Sequence, residues 1–61
     1  MTFAVHVKDT NLYVADDRFE NMKYTSNLDN AKIFKYFEDA KNYIENNRTK
    51  HEFSIIRIID I

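Results

Sequence analysis

The chain contains no cysteine, glycine, proline or tryptophan. Without cysteine there are no disulfide staples, thiolate metal sites or thiol nucleophiles, and nothing marks a redox compartment. Without glycine the dinucleotide loop, the P-loop, the nucleophile elbow and the sharply turned Ca2+ loop are all excluded, and most nucleotide enzymes go with them. The left-handed backbone positions that glycine normally takes must fall to short polar residues, and seven asparagines are available. Asn11, Asn27 and the Asn46-Asn47 pair are the expected sites. An excess of one charge is missing as well. Nine Lys plus Arg against ten Asp plus Glu leave a net charge of -1, which argues against a protein that tracks phosphates by bulk charge. No apolar run approaches a membrane span, and Met1-Thr2-Phe3-Ala4-Val5-His6 lacks the charged start of a signal peptide. The expectation is a soluble cytoplasmic protein starting at its native Met1, with no membrane partner and no cofactor.

What is present suits one small domain spanning residues 1–61, in which 44% apolar residues close a single thin core. Thr2 to Lys8 alternates, with Phe3, Val5 and Val7 on one face and Ala4 and His6 on the other, the period of a half-buried strand. Asn11 to Ala15 repeats the alternation through Leu12 and Val14. Pairing Val7 with Leu12 and Val5 with Val14 keeps both apolar sets together and predicts a hairpin. Its Lys8–Asn11 loop is expected to be built on a type I turn with Asn11 left-handed. Asp16 to Glu20 turns the chain, and residues 22–25 suit a short third strand.

The stretch from Ser26 to Asn47 has two solutions. On one straight helix Ile33, Phe37, Ala40 and Ile44 share a stripe, but Phe34 is left on the wet side. The better compromise is a single turn at Leu28–Ala31 opened by Ser26 with Asp29, then an extended 32–35, then a helix over about 37–47. Residues 52–60 form an Ile-rich final strand. The predicted fold is α+β, ordered β-β-β-α-β, with a small antiparallel sheet of three to four strands at 2–8, 11–15, 22–25 and 52–60 and one helix on one face.

That last strand is apolar on both faces. Phe53, Ile55, Ile59 and Ile61 alternate against Ile56 and Ile58, and one helix covers only one face of a sheet. If the helix covers the first set, Ile56 and Ile58 lie on the open face beside Ala4, His6 and Tyr13; if it covers the second, a larger apolar set is exposed. Long Lys and Tyr side chains lying over the isoleucines are the competing account. Uncovered patches of this kind mark interaction surfaces, and a symmetric homodimer is the commonest way to satisfy them.

Tyr24-x-x-x-Leu28-x-x-Ala31-x-x-Phe34-x-x-x-x-x-Ala40-x-x-x-Ile44 followed by Phe53-Ser54-Ile55-Ile56-Arg57-Ile58 resembles a pattern in small proteins of phages and prophages of Gram-positive bacteria. The resemblance spans roughly the second half of the chain and consists of core positions only, so it implies a turn, a short strand, a helix on a sheet and a closing strand, but no functional residue. The chain departs from it at Tyr36-Phe37, where a Ser or Thr cap is usual. Enrichment in residues with A/T-rich codons agrees with such an origin.

The chemical constellations are sparse. His6 and His51 stand at no metal-ligand spacing, and Ser26 and Ser54 have no base nearby in sequence. Asp16-Asp17-x-x-Glu20 is the densest acidic cluster; it reads as a solvated turn, or as a rim facing a basic surface on a partner. The expected role is therefore non-enzymatic: a phage- or prophage-type accessory module that binds and occludes a host or phage protein, or itself. Tyr13, Ile56 and Ile58 are its apolar anchors and Asp16, Asp17 and Glu20 its charged rim. The alternative is a small nucleic-acid-associated regulator using Lys32, Lys35, Tyr36 and Lys41.

Overall fold

In a computed structural model described for residues 1–59, the elements are β1 (Thr2–Val7), β2 (Tyr13–Val14), β3 (Tyr24–Thr25), a single 3-10 turn (Leu28–Asn30), α1 (Phe37–Asn46) and β4 (Phe53–Ile58). The four strands form one antiparallel sheet in the order β3-β2-β1-β4, with one helix packed against it. This is the α+β, β-β-β-α-β arrangement that the alternation predicts. Asp60 and Ile61, the expected end of the last strand and of its apolar set, lie outside the described residues.

The hairpin has the expected register, His6 opposite Tyr13 with the Val7 amide donating to the Leu12 carbonyl at 2.9 Å. Its turn differs. Asp9, not Asn11, is left-handed, with φ 64, and the Thr10 amide closes the turn on the Val7 carbonyl. A positive φ at the third turn position belongs to type II rather than type I. The Thr10 hydroxyl explains the shift, because it donates to the Val7 carbonyl and accepts from the Leu12 amide, which fixes the backbone one residue earlier. Asn27 and Asn47 have φ of -102 and -124, and Asn46 closes the helix in ordinary geometry, so none of them takes the expected left-handed role.

β2 is only two residues long because the hairpin opens beyond it. Continued register would set Phe3 opposite Asp16. Instead Phe3 exchanges both backbone hydrogen bonds with Phe34 at 2.8 Å, while the Asp16 amide donates to Asn30 and the Lys32 amide to Val14. The segment after the 3-10 turn therefore bridges the diverging strands, with Ala31 opposite Ala15. Ala15 and Ala31 are both buried, and their small side chains allow the close backbone approach that glycine would otherwise provide. The turn opens on Asn27, whose side chain accepts from the Asp29 amide; Ser26, the expected cap, is one residue too early.

Extended backbone at 31–34 decides which side chains go inward. Phe34 is 9% exposed and joins Val5, Val14 and Ala40 in the core, whereas its neighbour Ile33 is 46% exposed. The straight-helix solution had these two reversed. α1 starts at Phe37 after Tyr36, which makes no side-chain cap; Glu38 and Asp39 in the first turn suit the positive end of the helix dipole. Asn47 ends the helix by donating its side-chain amide to the Tyr43 carbonyl and its backbone amide to Ile44. Ala40, fully buried, brings the helix close to the sheet, and the Tyr43 ring packs at a tilt on Phe34 with centroids 5.6 Å apart.

Candidate functional site

Register between β1 and β4 fixes the two faces of the sheet. Val5 stands opposite Ile55, Val7 opposite Phe53 and Phe3 opposite Arg57, and this set packs toward α1. Thr2 with Ile58, Ala4 with Ile56, and His6 with Ser54 point to the other side, which no helix covers. Tyr13 joins them through its pairing with His6, with ring centroids 5.4 Å apart. The three expected anchors, Tyr13, Ile56 and Ile58, thus share one face. All three are half-buried, while Ala4 beneath them is fully buried.

The acidic residues lie elsewhere. Asp16 is used by its own turn, accepting from the Arg18 amide at 3.0 Å, and Asp17 binds the Lys32 ammonium at 2.6 Å. Together with Glu20 they edge an open cleft of about 310 Å³ whose floor includes Val14, Tyr24, Tyr43 and Phe53. Val14, Tyr24, Tyr43 and Phe53 belong to the helix-side core or pack on it, so the acidic rim and the isoleucine anchors occupy different surfaces of the molecule. Burial raises the Tyr43 phenol above its ordinary value; the Asp17 charge adds to this and Lys32 opposes it.

Two features were not visible along the sequence. Folding brings Ser54 to His6 from 48 positions away, with Oγ 3.5 Å from Nδ1. Nε2 of the same ring lies 2.6 Å from the Thr10 carbonyl, which can only accept, so Nε2 is the donor there. This is the residue pair of a nucleophile and its base, and it lies exposed on the open sheet face, outside the cleft. The register sum of β1 and β4 was the only signal that could have found it.

The second feature is apolar exposure around the start of the helix. Phe37, expected in the buried stripe, is 51% exposed and meets Phe3 edge-on at 5.8 Å. Ile59, which the alternation groups with Phe53 and Ile55, is 68% exposed, because β4 ends at Ile58 and Ile59 lies just beyond it.

Among the residues of the alternative, Lys32 is committed to Asp17 and lies 5.7 Å over Phe34, and Lys35 lies at the same distance over Tyr36. Among the described residues no cluster of three His, Asp or Glu side chains could hold a metal ion, and no helix is long and apolar enough to cross a membrane. No family model, curated protein or solved structure matches the chain.

Proposed function

We propose that the chain is a non-enzymatic protein-interaction module, of the phage or prophage accessory type, that acts in the cytoplasm by occluding a host or phage protein with its helix-free sheet face. One observation carries this reading. Ile56 and Ile58 remain partly exposed on the side opposite the helix, with Tyr13 beside them. The phage affiliation rests on the core pattern from Tyr24 to Ile58 alone.

Magnitudes restrict how the face works. Full burial of an Ile is worth about 1.5–3 kcal/mol, and these two are already mostly covered, so covering the rest adds at most about 1–2 kcal/mol together. Association costs at least about 4 kcal/mol, so the isoleucines need Tyr13 and further polar or main-chain contacts to hold a partner. Capture from lysates of phage-carrying cells with wild type, Ile58→Lys and an Asn42→Lys surface control tests the reading. A partner held by wild type and the control but lost with Ile58→Lys, at unchanged circular dichroism, is the expected result. Equal retention by all three would remove the face from the mechanism.

A further inference from the structure

The two edges of the sheet are unequal. One is β3, two residues long. The other is β4, six residues long, with Arg57 its only charge and no proline. Natural sheets blunt such edges with short strands, charged side chains, prolines or bulges, and of these β4 carries only the single charge of Arg57.

The hydrogen-bond phase of the edge follows from its inner neighbour. The Lys8 amide donates to the Glu52 carbonyl at 2.8 Å, so the register places the bonded pairs at Lys8/Glu52, His6/Ser54, Ala4/Ile56 and Thr2/Ile58. Odd residues of β1 point the other way, as the bonds from Phe3 to Phe34 and from Val7 to Leu12 confirm. On β4 the amides and carbonyls of Phe53, Ile55 and Arg57 therefore face outward, and among the described residues none has a backbone partner.

We propose that β4 pairs along this edge with β4 of a second copy of the chain, antiparallel about a two-fold axis centred on Ile55, joining two four-stranded sheets into one. Centred there, every outward group of both copies is bonded: Ile55 meets Ile55, and Phe53 meets Arg57 of the second copy. Ser54 falls opposite Ile56 and Glu52 opposite Ile58, so no like charges oppose one another. A centre on Arg57 would instead set two guanidinium groups face to face. The pairing also places the Ile56 and Ile58 rows of both copies side by side on one helix-free face. It depends on the edge and not on capture of another protein through that face.

The test uses the full chain, which is short enough for total chemical synthesis. N-methylation of Ile55 deletes one outward donor and puts a methyl group in the path of the second copy, leaving every side chain and every bond to β1 in place. Light scattering and sedimentation should show wild type moving from 7.4 kDa to twice that mass as concentration rises. The methylated chain should dimerise at least about tenfold more weakly, with unchanged circular dichroism. Hydrogen exchange supplies a second readout in the unmodified protein: the Phe53, Ile55 and Arg57 amides should gain protection with concentration, whereas those of Ser54, Ile56 and Ile58 are protected throughout. A wild type that stays monomeric, or a methylated chain that dimerises equally well, overturns the proposal. If the methylated chain does not fold, exchange decides: protection at the three outward amides that is independent of concentration overturns the proposal. Ile58→Lys separates the two readings, because it should abolish partner capture and leave the edge amides protected.

Discussion

Replacing Phe34 by alanine tests the feature on which the rest of the packing depends, the extended segment that fills the open end of the hairpin. Phe34 is 9% exposed, lies among Val5, Val14 and Ala40, and its ring packs at a tilt on Tyr43 at 5.6 Å and carries the Lys32 ammonium at 5.7 Å. Removing a buried phenylalanine costs about 3–5 kcal/mol, from lost transfer energy and the cavity left behind. A 61-residue domain has about 3–9 kcal/mol of stability in all, so Phe34→Ala should consume about a third of it or more. Ile33 is the control, because it is adjacent in sequence and 46% exposed. Ile33→Ala should cost about 0.5–1 kcal/mol, the contribution of a partly covered side chain. Urea unfolding followed by circular dichroism measures both, and Phe34→Leu, at about 1–2 kcal/mol, keeps the measurement possible if the alanine variant does not fold. Equal costs at 33 and 34, or a Phe34→Ala cost below about 1 kcal/mol, would refute the bridging segment and restore the continuous helix.

Three further outcomes follow from the turns and the core. Asn27→Ala should lower stability by about 0.5–1 kcal/mol through loss of the cap on the 3-10 turn, while Ser26→Ala, scored by the same urea midpoint, should change little. Asp9→Gly should raise stability by about 0.5 kcal/mol by relieving the left-handed position, and Asn11→Gly should not; a reversed order would return the turn to Asn11. Because burial raises the Tyr43 phenol, the folded protein holds its proton at a pH where the unfolded chain has released it. Stability should therefore be complete below pH 10.0 and fall as pH rises from there through the folded value, a slope that Tyr43→Phe should remove in urea titrations at several alkaline pH values.

The elements legible in the sequence were those with a strong period. β1, the hairpin register, the Leu28 turn and α1 all followed from the spacing of Phe3, Val5, Val7, Val14, Ala40 and Ile44. Details set by side chains reaching back to the backbone were not, since the Thr10 hydroxyl moved the left-handed residue to Asp9 and Asn27 took the cap from Ser26. The double-faced character of β4 identified the open face with Ile56 and Ile58, but alternation alone does not say which loops sit beside which strands. The acidic residues were therefore grouped with anchors from which the sheet separates them, and the approach of Ser54 to His6 passed unseen.

β1 sits between β2 and β4, so its two long-term neighbours come from opposite ends of the chain. During synthesis it emerges before either of them, yet its second flank stays bare until residues 53–58 have cleared the ribosome. Val5, the best-buried large side chain, must wait with it. A nascent chain stalled before β4 would expose a sticky, half-dressed strand to every chaperone in reach, and the domain closes only once residues 53–58 are free to pair.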